Sequence, residues 1–85
     1  MFKNKNDDGT LNLCGKIIAK LRKESELSQR ALADKMQLSG LDMNKNAIQQ
    51  IESGQRFVTD IELKAFSQFF NISADIFLEI HDVSE

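Results

Sequence analysis

Four polar side chains near the middle of the chain could form hydrogen bonds with the edges of nucleic-acid bases. They follow Asn44, a residue type that often caps helices, and they are Lys45, Asn46, Gln49 and Gln50. Asn and Gln amides can pair with adenine N6 and N7, and a Lys ammonium can bind guanine or a phosphate. Helical spacing lets all four share a face. Taken alone, such a face is more often an ordinary solvated surface, so its meaning depends on the surrounding elements.

Residues suited to catalysis or metal binding are few and scattered. His81 is the only histidine and Cys14 the only cysteine. Acidic neighbours such as Asp7 and Asp8 have no histidine or cysteine nearby to complete a metal site. The sequence has no phosphate-binding glycine loop and no nucleophile motif. It therefore predicts no enzyme, no metal site and no cofactor.

The composition fits one small helical domain. The 85 residues are 41% hydrophobic and 28% charged, without proline and without the alternation typical of strands. A single cysteine excludes an internal disulfide and fits a reducing compartment. No apolar run is long enough to span a membrane. We therefore expect a cytoplasmic protein.

Charge is distributed unevenly along the chain, although the net value is only −2. Residues 1–23 carry +4 and residues 24–56 carry −1, whereas residues 57–85, with Lys64 against six acids, carry −5. Such an asymmetry would place the acidic last third away from a polyanion. The low net charge argues against tight non-specific binding to DNA.

Capping residues and hydrophobic spacing predict five short helices and an all-α fold. Residues 1–10 are expected to form a flexible arm, 11–81 the helical domain and 82–85 a tail. The helix signals are apolar residues from Leu13 to about Lys23 or Glu24, Ser28 as a cap, Asn44 and Gly54 as two ends, the Thr59–Glu62 capping box, and Ser73 before Ile76, Phe77 and Ile80.

The connection between the second and third helices is predicted at Gln37–Met43. It contains the turn signal Ser39-Gly40, and packing of Leu38, Leu41 and Met43 could anchor it. The conformation of this link determines the orientation of the third helix.

The order of these segments is similar to that of a known family. LSQRALADKM, a turn, NKNAIQQIESGQR and then VTDIELKAFSQFFNISADIF resemble the Cro/C1-type, or xenobiotic-response-element, DNA-binding domains. The resemblance covers roughly Leu13 to Ile80. It implies a compact five-helix, lambda-repressor-like domain with a helix-turn-helix, whose third helix enters the major groove of double-stranded DNA. The Gln37–Met43 link is longer than the tight turn usual in the family.

Within this resemblance the polar residues acquire expected roles. Lys45, Asn46, Gln49 and Gln50 would contact bases. Phosphate contacts are expected from Gln29, Arg56, Arg30 and Lys16, with ordinary surface charge as the alternative. Arg22 and Glu52 match positions that form an ion pair between the first and third helices, which implies a structural role.

The phenylalanine-rich last third suggests a homodimer. Phe69, Phe70, Phe77 and Ile80 are the candidates for a self-complementary interface, and a complete monomeric core is the alternative. A dimer would place two recognition helices on half-sites about one helical turn apart.

The sequence thus predicts a transcriptional regulator that binds specific DNA and most simply represses by occupying an operator. The alternative is an antitoxin-like or other protein-interaction module, which would use its acidic, Phe-rich C-terminal third to hold a protein partner. The residues that discriminate between the two are Lys45, Asn46, Gln49 and Gln50, because a pure interaction module does not need them.

Overall fold

The all-α fold predicted from the sequence is confirmed. The computed structural model describes residues 9–78, so the arm up to Asp8, the candidate residue Ile80, His81 and the predicted tail 82–85 lie outside the described residues. Residues 9–78 contain no strand. They form five helices, which are α1 Gly15–Glu24, α2 Gln29–Leu38, α3 Lys45–Glu52, α4 Asp60–Phe70 and α5 Ala74–Phe77.

Side-chain caps define where four of the helices begin. Ser28 accepts a hydrogen bond from the Ala31 N–H at 2.9 Å, and Asn44 accepts one from the Ala47 N–H at the same distance. Thr59 and Glu62 form a reciprocal capping box on α4. Ser73 caps α5. Each cap satisfies a backbone donor that has no partner inside its helix, which explains why the boundaries fall at these residues.

The helices pack around one core. α3 packs against α2 and α1, while α4 packs against α5 and α2. Phe66 and Phe77 are the largest of the fully buried side chains. The other buried apolar residues are Cys14, Ile18, Leu32, Ala33, Met36, Met43, Ile48 and Ile51.

Two apolar residues are more exposed than the hydrophobic spacing predicts, and one candidate interface residue is buried. Leu13 precedes α1 and is 41% exposed, and Ile76 on α5 is 51% exposed. Phe77, expected at a dimer interface, has no exposed surface and belongs to the core. The reason is geometric: a helix as short as α5 turns only one side chain fully inward, and Phe77 occupies that position.

The connection between α2 and α3 is ordered by its own hydrogen bonds. α2 continues to Leu38, so the link runs from Ser39 to Asn44. The expectation that Leu38 anchors this link is wrong, because its side chain is 85% exposed. Met43 is buried instead, and the Gln37 Nε2 group donates to the Met43 carbonyl at 2.7 Å. The link therefore holds the start of α3 against the end of α2.

Candidate nucleic-acid interface

The outer face of α3 carries the four residues expected to contact bases. Lys45, Asn46, Gln49 and Gln50 are all exposed, whereas the inward residues Ile48 and Ile51 are fully buried. Positions 45 and 49, and likewise 46 and 50, are four residues apart and therefore adjacent on the helix surface. The result is a continuous strip of amide and ammonium groups that begins at the capped N-terminus of α3.

A largely buried ion pair holds the other end of α3. The Arg22 Nε group donates to Glu52 Oε2 at 2.6 Å, and Arg22 Nη2 donates to Oε1 at 3.1 Å. The side chains are only 12% and 8% exposed. Arg22 Nη1 also donates to the Leu27 carbonyl at 2.8 Å. One guanidinium thus connects α1, the α1–α2 link and α3, and it does so inside the protein rather than on the candidate interface.

Gln29 belongs to the same network. Its Nε2 group donates to Glu52 Oε1 at 3.1 Å, and the residue is half-buried. The amide expected to meet a phosphate therefore already has an internal partner. The backbone N–H groups of Gln29 and Arg30 lie in the first turn of α2, where a helix offers them no internal acceptor. The N-terminus of α2 consequently keeps donors for an anion beside α3.

The other expected phosphate contacts differ in their surroundings. Arg30 and Lys16 are exposed. Arg56 is half-buried, and its Nη2 group forms an ion pair with Glu62 Oε2 at 2.6 Å. Because Arg56 is paired with Glu62, a phosphate there would have to share the guanidinium with this carboxylate. Sharing is possible because a guanidinium has five donors.

Neither a metal site nor a reactive thiol accompanies these residues. In residues 9–78 no group of His, Cys, Asp or Glu side chains is arranged to hold a metal ion. Burial raises the pKa of the Cys14 thiol to about 11, so this side chain is protonated at neutral pH and acts as a core residue. No helix in this part of the chain is both long enough and apolar enough to cross a membrane.

Sequence reasoning missed Asn12. Its Oδ1 atom accepts a hydrogen bond from the Gly15 N–H at 2.8 Å, and its Nδ2 group donates to the Ile51 and Arg56 carbonyls at 3.1 and 2.8 Å. The spacing between Asn12 and Gly15 is a capping signal that the sequence does contain. The two carbonyl partners are distant in sequence, and only the folded chain brings them together.

The structure has the features of a helix-turn-helix DNA-binding domain. They are two packed helices joined by an ordered link, a strip of polar side chains on the exposed face of the second of them, and an internal ion pair behind it. A helix-turn-helix family model matches residues 18–77. The chain therefore belongs to the Cro/C1-type helix-turn-helix family, a family of DNA-binding, non-enzymatic domains. Among curated proteins and solved structures, none matches the chain significantly.

Proposed function

We propose that this protein is a sequence-specific transcriptional repressor that reads the major groove of double-stranded DNA with α3. The observation that carries the proposal is the exposed strip formed by Lys45, Asn46, Gln49 and Gln50 on a helix whose opposite face is fully buried. A major groove admits one α-helix, and residues near that helix's N-terminus reach the base edges. A cytoplasmic location is part of the proposal.

Docking would use two kinds of contact. The α2 N-terminus and the exposed Arg30 and Lys16 would bind backbone phosphates and set the register of the domain on DNA. The strip on α3 would then supply base specificity. Repression would follow from occupancy of an operator that overlaps a promoter.

The proposed assembly on DNA is a homodimer. Phe77 cannot contribute because it is buried, and Phe69 and Phe70 are half-buried and packed edge to face with ring centroids 4.9 Å apart. In the last third of the chain the exposed apolar side chains are Phe57, Ile61 and Ile76, which are 55%, 70% and 51% exposed, and they are the candidates for contact with a second copy of the chain. A two-fold dimer requires an operator with matching symmetry.

Selection of bound sequences from random duplex DNA tests this proposal. We expect enrichment of a palindrome whose half-sites lie about one helical turn, roughly 34 Å, apart. Enrichment of a single non-repeated site would support specific binding by a monomer and contradict the dimer. If no sequence is enriched even at low salt, the DNA-binding proposal fails.

A protein-interaction module is the second candidate function. The observation in its favour is the net charge of −5 in residues 57–85, which suits a basic protein partner better than DNA. Co-purification from the native host distinguishes the candidates. A stoichiometric protein partner, together with no enrichment from random DNA, would favour the second candidate.

A further inference from the structure

The segment just before α1 is joined closely to the end of α3. We call residues 10–14 the N-terminal clasp. The Leu11 N–H donates to the Gly54 carbonyl at 2.8 Å, and the Asn12 amide donates to the Ile51 and Arg56 carbonyls. The clasp therefore contacts the last turn of α3 and the residues that follow it.

Two glycines allow this close approach. A Cβ atom on Gly15 would collide with the Ile51 carbonyl oxygen, and a Cβ atom on Gly54 would collide with the side chain of Thr10. Gly54 also has a φ of +78°, a conformation that a residue with a side chain rarely adopts. Thr10, which the sequence had assigned to a flexible arm, is thus packed against the end of α3.

The Asn12 amide donates to two carbonyl groups, one in the last turn of α3 and one beyond it. The last four carbonyls of a helix have no acceptor role inside that helix, and Ile51 is among them in α3. The Ile51 carbonyl receives the Gly54 N–H at 3.1 Å and the Asn12 amide at the same distance. The Arg56 carbonyl lies between α3 and α4, outside any helix. Asn12 therefore ties the last turn of α3 and the middle of the α3–α4 loop to the first residue of α1.

The C-terminal end of α3 is consequently held by two separate sets of contacts. Arg22 and Gln29 hold the Glu52 side chain, and Asn12 holds the backbone next to it. α3 has eight residues, so its length is about 12 Å. A tilt of about 10° around the held end would displace the leading turn by roughly 2 Å. Hydrogen bonds to bases tolerate only a few tenths of an ångström.

We infer that Asn12 is a positioning residue for DNA binding, which sets the angle at which the leading turn of α3 meets the bases. The inference rests on the proposed function. Asn12 acts through the backbone of Ile51 and Arg56. Its loss would reduce binding to a specific duplex more than binding to an arbitrary one, because phosphate attraction depends little on the angle of one helix.

Two substitutions separate this role from the hydrogen bond that Asn12 accepts from the Gly15 N–H. In Asn12→Ser the hydroxyl still accepts the Gly15 N–H, but the shorter side chain does not reach the Ile51 and Arg56 carbonyls. Asn12→Asp keeps the size and the acceptor, and replaces the donor with a carboxylate that repels both carbonyl oxygens. The matched control is Ser73→Ala, which removes a helix cap from α5 and so reduces stability away from α3.

Affinities for the selected duplex and for a scrambled duplex are measured at a temperature at which circular dichroism shows every variant folded. We expect Asn12→Ser to weaken binding to the selected duplex about 10-fold or more, the equivalent of one lost base contact. Asn12→Asp should weaken it further. Binding to the scrambled duplex should stay unchanged, and Ser73→Ala should alter neither affinity.

The contrary results distinguish a failure of the inference about Asn12 from a failure of the proposed function. Wild-type affinity in folded Asn12→Ser and Asn12→Asp would overturn the inference and leave the proposed function standing. Equal weakening on both duplexes would also overturn it, because a tilt of α3 would not act equally on non-specific binding. A wild-type protein that binds neither duplex would overturn the proposed function itself.

Discussion

Glu52 shows how a polar residue beside the candidate interface can serve the fold. Its carboxylate accepts hydrogen bonds from Arg22 and Gln29 and is largely buried. The ion pair expected from the family resemblance is formed in the structure, whereas the bond from Gln29 was not anticipated. Gln29 is a residue type suited to a phosphate, and nothing in its local sequence reveals that a carboxylate from α3 lies within reach.

Loss of the Glu52 carboxylate should destabilise the protein. We expect Glu52→Ala to lower the free energy of unfolding by about 3 kcal/mol, because the Arg22 guanidinium would be left largely buried without a counter-charge. Chemical denaturation measures this change. Glu24→Ala, which removes an exposed glutamate from α1, is the control and should change stability little. An unchanged stability with lost DNA binding would mean that Glu52 contacts DNA directly.

At the scale of the helices, local signals predicted most of the fold. The caps at Ser28, Asn44, Thr59 and Ser73 are all formed, because capping depends on residues within one turn of each other. The depth of each apolar side chain was harder to predict. Leu38 was expected to anchor the α2–α3 link and Ile76 belongs to the apolar residues of α5, but both are exposed, since burial depends on which helices pack against them.

The backbone just after α1 is strained at one residue, and a substitution there can relieve the strain. Glu26 follows the helix with a φ of 59°, and its N–H donates to the Lys23 carbonyl while the Leu27 N–H donates to that of Arg22. This is the helix-ending motif in which glycine is preferred, because a side chain disfavours the left-handed conformation.

Glycine at position 26 should therefore stabilise the protein. We expect Glu26→Gly to raise the free energy of unfolding by about 0.5 kcal/mol, since relief of the left-handed strain exceeds the greater freedom of glycine in the unfolded chain. Thermal unfolding is the measurement. Lys20→Gly, at an exposed position inside α1, should instead lower stability by about 1 kcal/mol. A loss of stability in both variants would contradict this explanation of the helix end.

At the scale of the whole molecule, charge and apolar exposure separate two regions. The strip on α3 and the N-terminus of α2 lie in a part of the chain with nearly balanced charge, while the last third is acidic and carries the exposed Phe57 and Ile61. A net charge of −2 provides little general attraction to DNA. Under the proposed function, specific binding would therefore depend on base contacts more than on phosphate contacts.

Among the contacts between distant parts of the chain, the Arg22–Glu52 ion pair was expected from the family resemblance, whereas those of Asn12 and Phe77 were not predicted. The Asn12 amide meets carbonyls 39 and 44 residues away, and Phe77 fills the core rather than an interface. Residue type and spacing nevertheless placed the four α3 residues together on an exposed face, because helical periodicity alone determines that arrangement.

The most direct test compares base preferences of the wild-type protein, Asn46→Ala and the control Gln68→Ala. Both variants lose an exposed side-chain amide, from α3 and from α4 respectively. Affinities are measured for the selected duplex and for duplexes with single base-pair changes.

We expect Asn46→Ala to lose about 1–3 kcal/mol of binding free energy and to stop discriminating between bases at one position in each half-site. Gln68→Ala should retain the wild-type profile. Identical profiles for Asn46→Ala and the wild-type protein at every position would contradict base reading by this residue of α3.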